Sequence, residues 1–403
     1  MAANAQIRWL TYGMFFMFAM TTDSIGVIIP QVLAEYRLNL SLAGSLQTAT
    51  MTGIALAGFG LGHLADRFSR AFSIRGGLGL FAASAVAMVL ATQFAHIQVA
   101  IFLAGLGIGI FKTGALALVA DMSDNDVAYT STMNLLEGFF GVGAIVGPLL
   151  VTVLAQQALS WRGLYVLAAL LCVALLIASV LMRYPTQPVA PSTANASPLQ
   201  SRLALLKDPL VQVFSLAAFL YVAVECAIYV WMPTLLHTLQ NDWLIWAAYT
   251  LPTFFVLRAV GRFMGVWAVQ RIGWERAIVV AAVLIALCFV AAQWSLRVAA
   301  VSLPLSGLFM SILYPTLNSK AIGCVAPSDK GSVAGIILFF TCVGAALGPF
   351  AMGAVSDWQQ DPQAGFQLAT AAAVAFAAWA LWNYWKRPAN TRLSREAASV
   401  DAV

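Results

Sequence analysis

Twelve long apolar segments, separated by short polar or charged connections, run along almost the whole chain. An apolar run of about 20 residues is long enough to cross the roughly 30 Å hydrocarbon core of a bilayer as a helix. The pattern predicts spans 1 to 6 at 9–33, 42–62, 74–94, 97–120, 130–154 and 164–181, and spans 7 to 12 at 211–235, 244–267, 277–293, 298–322, 332–355 and 366–385. The predicted fold class is an all-α integral membrane protein with twelve transmembrane helices.

A polar segment divides the spans into two sets of six. Residues 185–198 are rich in Pro, Ser, Thr and Ala, a composition typical of flexible linkers. The first apolar segment is span-length and carries Asp23, so we interpret it as a retained helix and not as a signal peptide. The predicted domains are an N-terminal six-helix bundle at 1–184, a cytoplasmic linker at 185–208, a C-terminal six-helix bundle at 209–386 and a cytoplasmic tail at 387–403.

The two sets of spans repeat each other at an offset of roughly 201 to 204 residues. The matched landmarks are Pro30 with Pro233, the loop 62–70 with 266–274, and the segment 143–148 with 344–349. Three matches in the same order at nearly one offset predict that the two six-helix bundles are pseudo-symmetric.

Composition and charge agree with a membrane protein. Hydrophobic residues make up 61% of the chain and charged residues only 9%, with a mean hydropathy of +0.86, whereas soluble domains have about 25% charged residues. The net charge of +5 comes from Lys and Arg in short loops, and the connections predicted to face outward contain only Arg37, Arg162 and Arg297. This bias predicts that both termini are cytoplasmic. The expected location is the bacterial inner membrane.

No sequence pattern indicates a cofactor, a metal site or an enzyme. The five Cys and three His residues lack disulfide or metal-ligand spacing. The Gly-rich stretches at 58–62, 105–109 and 141–147 lie inside apolar spans and follow no strand, so we interpret them as close helix packing and not as phosphate loops. We expect no nucleic-acid partner, and a monomer embedded in the lipid bilayer.

The loop after span 2 carries the most specific motif, GHLADRFSR at 62–70. It resembles the signature loop of the major facilitator superfamily, in which a Gly is followed by Asp-Arg-x-Gly-Arg and a further basic residue. Ser69 replaces the second Gly here, and Ala71 replaces the last basic residue. The resemblance covers 9–385 and implies a transporter with a cytoplasmic charge latch. The predicted gating residues are Asp66, Arg67 and Arg70 in this loop, with Arg262, Gln270 and Arg271 in the second half.

A finer resemblance rests on GLGIG at 105–109 and NLLEGFFGVGAIVGP at 134–148. These stretches are similar to the fucose permease-like sugar and proton symporters. That group is expected to carry an acid shortly after the Gly run in span 4, where this chain has Lys112, and often a His where it has Glu137. Both differences fall where substrate and proton are handled.

Ionisable residues inside spans cost at least about 2.5 to 3.5 kcal/mol each at the bilayer centre, so they are expected to face a cavity or a partner. In the amino-terminal half they are Asp23, Lys112 and Glu137, and the last two lie at similar depths, where they could pair. We predict Asp23 or Glu137 as the proton carrier and Lys112 as a substrate ligand. The alternative is a structural ion pair that joins spans 1, 4 and 5.

In the carboxyl-terminal half, Glu225 and Arg258 occupy the middles of spans 7 and 8. A guanidinium stays protonated and presents a fork of donors that fits a carboxylate or phosphate, so Arg258 is a predicted substrate ligand. Glu225 is the third candidate for proton coupling. A structural bridge between the two side chains is the alternative. Arg262 lies nearer the cytoplasmic end, which favours the gate.

Weaker substrate-binding candidates share these spans: Asn134, Tyr229, Trp231, Tyr314 and Asn318. Tyr314 has roughly the position in the second half that Lys112 has in the first. An amide inside a span often only bonds a neighbouring helix, and Trp231 also fits packing. The acidic run at 121–126 is interpreted as a solvated loop that caps the start of span 5.

The sequence predicts secondary active transport in which two bundles rock about a central site and expose it to each side in turn. No nucleotide-binding motif is present, and carboxylates near fixed cations favour protons as the coupling ion. The cations Lys112 and Arg258 favour uptake of a small organic anion such as a sugar acid or carboxylate. The alternatives are symport of a neutral sugar, efflux of drug-like compounds and, least favoured, a membrane sensor or enzyme of this fold.

Overall fold

The structure is a computed structural model that describes residues 2–60, 69–122, 126–182, 184, 205–325 and 329–389. Within these ranges all regular elements are helices. Spans 1 to 6 form α1 (Ala2–Thr22) with α2 (Ile25–Tyr36), α3 (Leu40–Gly60), α4 (Arg70–Leu90), α5 (Phe94–Asp121), α6 (Asp126–Gln156) and α7 (Arg162–Leu181).

Spans 7 to 12 follow the same succession. They form α8 (Pro209–Cys226), a π-helical turn (Ala227–Trp231) and α9 (Met232–Leu236) as span 7; α10 (Asp242–Ile272); α11 (Trp274–Ala292); α12 (Leu296–Met310) with α13 (Leu313–Ile322) as span 10; α14 (Lys330–Gln359); and α15 (Pro362–Lys386). Polar caps begin several of them, because the first N–H groups of a helix lack intrahelical partners. Asp208 accepts from the N–H of Leu210 before α8, and Asp361 accepts from the N–H of Gln363 before α15.

Among the described residues, ten helical stretches are long and apolar enough to cross a membrane, and the bent pair α1–α2 makes eleven. The remaining long helix is α3, which has 21 residues. Its polar residues Gln47 and Thr50 are buried. The predicted twelve-helix fold is confirmed, with α3 as span 2.

Packing divides the chain into two compact units: unit 1 (Met1–Pro191 and Tyr229–His237) and unit 2 (Ser192–Ile228 and Thr238–Val403). In unit 1, span 1 packs on span 5, span 2 on span 4, and span 3 on spans 4 and 6. In unit 2, span 7 packs on span 11, span 8 on span 10, and span 9 on spans 10 and 12. The packing inside unit 2 therefore repeats that inside unit 1, as the sequence repeat predicts.

The repeated Gly-Pro segment has the same role in unit 1 and in unit 2. In unit 1, a Cβ added at Gly143 would lie 2.1 Å from the carbonyl oxygen of Phe16, and one at Gly147 would lie 2.0 Å from that of Met20. Such distances are too short for any side chain, so span 5 requires glycine to reach the backbone of span 1.

In unit 2 the matching glycines meet span 7. A Cβ at Gly344 would lie 2.5 Å from the carbonyl oxygen of Phe219, and one at Gly348 would lie 3.0 Å from the Cβ of Ala223. The contacted residues on spans 1 and 7 are themselves 203 positions apart, since Phe219 corresponds to Phe16 and Ala223 to Met20. The sequence repeat is thus a repeat of helix packing.

Spans 1 and 7 are both interrupted at equivalent positions. Span 1 bends by 40° between Thr22 and Ile25, and the hydroxyl of Ser24 donates to the carbonyl of Met20 at 2.7 Å. Hydroxyls that bond the preceding turn are a known cause of helix bending. Span 7 changes to a π-helical turn at Ala227, which is 203 residues after Ser24. Each interruption therefore divides its span into two helical segments.

The segment after the interruption in span 7 packs within unit 1. Tyr229–His237 belongs to that unit, although the predicted boundaries put 229–237 in the C-terminal bundle. A Cβ at Gly26 would lie 1.8 Å from the carbonyl oxygen of Tyr229, and Gln47 Nε2 donates to the Tyr229 hydroxyl at 3.3 Å. The segment is therefore seated on α2 and α3 by a backbone contact that glycine permits and by one side-chain hydrogen bond.

The glycine contacts predict a difference between two variants of the same helix. Gly147→Ala should lower the stability of the protein, because overpacking a close contact costs about 1 to 3 kcal/mol. Gly141→Ala is the matched control, since its Cβ would meet nothing within 4 Å, and alanine is favoured over glycine in helices by about 0.5 to 1 kcal/mol. Thermal unfolding of both purified variants in detergent measures the difference. Equal behaviour of the two variants would contradict it.

Candidate functional site

Asp23 lies at the bend of span 1 and is 8% exposed. Its neighbours bond their own backbone: the hydroxyls of Thr21 and Thr22 donate to the carbonyl of Phe18 at 2.8 and 3.1 Å. At the bend, the two hydroxyls therefore bond the backbone of their own helix. The ionisable group of this part of span 1 is the carboxyl of Asp23, which lies in the interior of unit 1.

The ammonium group of Lys112 lies over two aromatic rings of span 1. Its Nζ is 5.4 Å from the ring centroid of Phe18 and 5.9 Å from that of Phe15. Phe18 is held in turn by edge contacts with Phe111 and Phe140, at centroid distances of 6.2 and 5.4 Å. Ring faces attract a cation, so the phenylalanines fix where the ammonium lies.

The predicted pairing of Lys112 with a carboxylate is not formed in the part of the chain that the structure describes. No ion pair joins Lys112 to Asp23 or Glu137. Glu137 is half-buried on span 5, and the side chain of Asn134 lies outside the described residues. The ammonium is directed toward the rings of span 1, which is why its similar depth to Glu137 does not produce a pair.

In unit 2, the predicted pair Glu225 and Arg258 is formed. Arg258 Nη2 lies 2.5 Å from Glu225 Oε1, and the exposed fractions of the two side chains are 21% and 8%. A buried carboxylate and a largely buried guanidinium are thus joined across spans 7 and 8. Removing one partner of such a pair leaves a costly buried charge.

The weaker candidates fall into two groups. Tyr229 and Trp231 lie in the π-helical turn, are buried, and belong to unit 1. Tyr314 and Asn318 are half-buried in α13 of unit 2. The carboxamide oxygen of Asn318 is buried without a hydrogen-bond partner among the described residues. A buried acceptor without a donor costs about 1 to 3 kcal/mol, so Asn318 is a position where a hydroxyl or ammonium of a ligand would be stabilised.

One gating residue has a partner that the sequence interpretation missed. Arg70 Nε donates to Asp121 Oδ2 at 3.0 Å, which joins the start of span 3 to the end of span 4. The interpretation of Asp121 as a solvated loop residue is wrong, because it is the last residue of α5 and its side chain is only 18% exposed. Asp66 and Arg67 lie outside the described residues.

The other predicted gating residues lie on α10. Arg262 is half-buried one turn after Arg258. Gln270 and Arg271 are exposed at the helix end, and the Arg271 guanidinium lies 4.8 Å from the ring centroid of Trp267. The spacing of four residues places Arg262 and Arg258 on one face of α10.

Sequence reasoning missed two polar residues, Gln47 and Tyr221. Gln47 is completely buried, and its Oε1 has no hydrogen-bond partner within the described residues. A polar residue in the middle of an apolar span is the signal that could have identified it. The spacing of four residues between Tyr221 and Glu225 places both on one helix face and could have identified Tyr221.

Comparison with known proteins gives the family. Residues 11–349 match the model of the Major Facilitator Superfamily. The L-fucose-proton symporter of Escherichia coli (strain K12) is 26% identical over 384 residues, or 86% of each chain. The 4-hydroxybenzoate transporter PcaK of Pseudomonas putida is 27% identical over 173 residues, 43% of this chain and 38% of the relative.

A solved structure agrees on the fold. The crystal structure of nucleoside transporter NupG matches with a TM-score of 0.73 at 16% identity, over 96% of this chain and 98% of that one. The helix packing, the buried charges inside spans and the family match lead to one conclusion: the chain belongs to the Major Facilitator Superfamily and is a multi-pass membrane transporter of small solutes, not an enzyme.

Proposed function

We propose that this chain is a secondary transporter that takes up a small organic anion, a sugar acid or another carboxylate, together with protons. The observation that carries this proposal is the position of Lys112, whose ammonium lies over Phe15 and Phe18. No carboxylate of the described residues forms an ion pair with it.

The energetics of Lys112 favour an anionic ligand. A cation inside a span costs at least about 2.5 to 3.5 kcal/mol, whereas ring faces return about 0.5 to 2 kcal/mol. The rings orient the ammonium but do not neutralise its charge. A carboxylate of the substrate would supply the missing counter-charge and would form a charge-assisted hydrogen bond, which is stronger than a neutral one.

Proton coupling is proposed from the carboxyl groups inside the spans. Asp23 at the bend of span 1, Glu137 on span 5 and Glu225 in the ion pair of unit 2 are the three candidates. A proton on one of them would offset the negative charge that enters with the substrate. We propose alternating access as the mechanism.

Two relatives support different parts of the proposal. PcaK is named for 4-hydroxybenzoate, a carboxylate, and the Escherichia coli relative is named for coupling L-fucose to protons. The second match extends over 86% of each chain, so symport of a neutral sugar is the second candidate function. The charge of the ligand that binds at Lys112 decides between the two.

The proposed location is the bacterial inner membrane, with both termini in the cytoplasm and the monomer as the transporting form. The loops that follow even-numbered spans, together with the tail, contain most of the Lys and Arg residues of the connections, which supports this orientation.

The anion proposal predicts a charge preference that depends on Lys112. In thermal-shift titrations of the purified protein, galacturonate or 4-hydroxybenzoate should raise the melting temperature, and the uncharged galactose or 4-hydroxybenzamide should not, because only a bound ligand stabilises the folded state. Lys112→Gln should weaken binding of the anion by about 2 to 5 kcal/mol, the usual loss when one partner of a buried charge pair is removed.

Lys320→Gln is the matched control for this experiment. Lys320 is also half-buried and lies over an aromatic ring, 5.7 Å from the centroid of Trp274, but at the end of span 10. The substitution Lys320→Gln should leave the affinities for the anion and for its uncharged analogue unchanged. The opposite outcome is that galactose stabilises the wild type as much as galacturonate does, and that Lys112→Gln does not change the ratio of the two affinities. In that case the neutral-sugar candidate is correct.

The Arg70–Asp121 pair predicts a change in turnover and not in binding. The pair is half-buried, and such pairs contribute about 0 to 1 kcal/mol, so Asp121→Asn should slow transport in proteoliposomes by a few-fold while the affinity for substrate stays the same. The charge-swapped double variant Arg70→Asp with Asp121→Arg should recover part of the rate. An Asp121→Asn protein that transports normally but binds substrate about tenfold more weakly would count against a gating role.

A further inference from the structure

Each unit has an arginine near the start of its third span and a tyrosine near the end of its sixth. In unit 1 these residues are Arg75 and Tyr184, and in unit 2 they are Arg276 and Tyr384. Arg276 follows Arg75 by 201 positions and Tyr384 follows Tyr184 by 200, so the pair belongs to the sequence repeat. The two copies differ in how the protein holds the arginine.

In unit 1 the arginine completes the end of span 6. The guanidinium of Arg75 donates to the carbonyls of Ser179 and Met182 at 2.8 and 3.4 Å. It also lies 5.3 Å from the ring centroid of Tyr184, whose hydroxyl is 2.7 Å from that of Ser179. The last carbonyls of a helix lack intrahelical partners. Arg75 therefore serves the protein's own backbone.

In unit 2 a different arginine closes the end of span 12. Arg387 follows α15 in a left-handed conformation, with φ at 45°, and its N–H donates to the carbonyl of Asn383. Its guanidinium lies 5.4 Å from the ring centroid of Tyr384, and its Nε lies 3.6 Å from Glu275 Oε2. Glu275 is the second residue of α11. Arg387 thus joins the end of span 12 to the start of span 9.

Arg276 lies at the surface beside this junction. It follows Glu275 directly and is exposed, and its side chain interacts with the hydroxyl of Tyr384. No carboxylate of the described residues forms an ion pair with Arg276. Lys386 is exposed in the last turn of α15. These residues, Arg276, Tyr384, Lys386 and Arg387, form a basic cluster whose cations outnumber the carboxylate of Glu275.

The basic cluster lies at the depth of the lipid headgroups. Helix α11 has 19 residues, which extend about 28 Å, close to the roughly 30 Å thickness of the hydrocarbon core. Arg276, in the first turn of this helix, therefore lies beside the headgroups. Trp382 and Trp385 are exposed near the end of α15, and tryptophan is enriched where a membrane meets water. The cluster thus combines cations with an apolar surface on which acyl chains can lie.

We propose that the basic cluster binds the phosphate of an anionic phospholipid of the phosphatidylglycerol class. The guanidinium groups of Arg276 and Arg387 donate to the non-bridging phosphate oxygens, and such charge-assisted hydrogen bonds are stronger than neutral ones. Basic pockets between transmembrane helices bind anionic headgroups in the same way. A zwitterionic lipid would bring an ammonium group that these cations repel.

The bound headgroup would connect two helices of unit 2. Arg276 belongs to span 9, Arg387 follows span 12, and these two spans pack on each other. The lipid would therefore stabilise this packing, as any ligand that binds only the folded state does. The site is independent of the solute that the transporter carries, so the lipid proposal and the anion proposal can fail separately.

Native mass spectrometry of the full-length protein tests the site. The protein in detergent receives an equimolar mixture of dioleoyl phosphatidylglycerol and dioleoyl phosphatidylcholine, and the ratio of the two bound lipids is measured. The wild type should retain phosphatidylglycerol preferentially. Arg276→Gln should lower the ratio about fivefold, the equivalent of the roughly 1 kcal/mol that an arginine near a membrane surface contributes. Arg276→Lys keeps the charge and should keep most of the preference.

Arg297→Gln is the matched control. Arg297 is also exposed in the first turn of a helix of unit 2, α12, and follows the exposed Trp294 by three residues, but it lies at the opposite end of span 9. Its substitution should leave the lipid ratio unchanged. The proposal is refuted if Arg276→Gln retains the wild-type ratio. It is also refuted if Arg297→Gln lowers the ratio equally, because charge alone, and not the cluster, would then attract the lipid.

Soluble phosphates distinguish a lipid site from a phosphate site. Inorganic phosphate and glycerophosphoglycerol carry the anionic group without acyl chains, so a large excess of either should leave the bound phosphatidylglycerol in place. Displacement would assign the cluster to a soluble phosphate and overturn the lipid proposal. Thermal unfolding gives a second readout, in which phosphatidylglycerol should raise the melting temperature of the wild type and of Arg297→Gln more than that of Arg276→Gln. Equal shifts in the three proteins would contradict the proposal.

Discussion

A charge inside a bilayer needs a counter-charge, and Glu225, Arg258 and Lys112 meet this requirement to different degrees. Glu225 and Arg258 neutralise each other within unit 2 at 2.5 Å. Lys112 lies on two phenylalanine rings, which orient an ammonium without cancelling its charge. The first arrangement neutralises both charges within the protein, and the second leaves a cation for which we propose an anionic ligand. The proposed chemistry follows from this difference.

Close backbone packing and helix interruptions determine where these charges lie along the spans. Glycines on spans 5 and 11 let those helices approach the carbonyls of spans 1 and 7 in each unit. Spans 1 and 7 are both interrupted beyond these contacts, at Ser24 and Ala227. An interrupted helix exposes backbone groups and polar side chains where a regular helix would present only apolar ones. Asp23 and Glu225 both lie at such interruptions, within one or two residues of them.

The fold was predictable because its signals are repeated many times. Twelve apolar runs, the charge bias of the loops and three repeated landmarks each specify the same architecture. The Glu225–Arg258 pair was also predictable, since both lie in the middle of consecutive spans. The glycine interpretation holds for Gly105, whose Cβ would lie 2.3 Å from the carbonyl oxygen of Thr50, but not for Gly58, which meets nothing within 4 Å. Periodicity alone does not tell which face of a helix has a neighbour.

Two features of the site were not predicted from the sequence. One is the direction of the side chains, and the other is the set of positions at which the two halves of the repeat differ. Depth along a helix suggested that Lys112 could pair with Glu137, but the rotation of span 4 directs it toward Phe18. The repeat preserves the packing residues and changes the charged ones: Thr22 stands where the second half has Glu225, and Tyr314 stands where the first half has Lys112.

This exchange explains how two halves with the same packing could serve different purposes. A transporter whose two halves repeated each other perfectly would offer the same side chains twice. Glycine and proline positions cannot vary, because a side chain at Gly143 or Gly344 would separate helices that must touch. The close glycine contacts involve neither Thr22 nor Glu225, so the two halves keep the same packing while they differ in the side chain at this position.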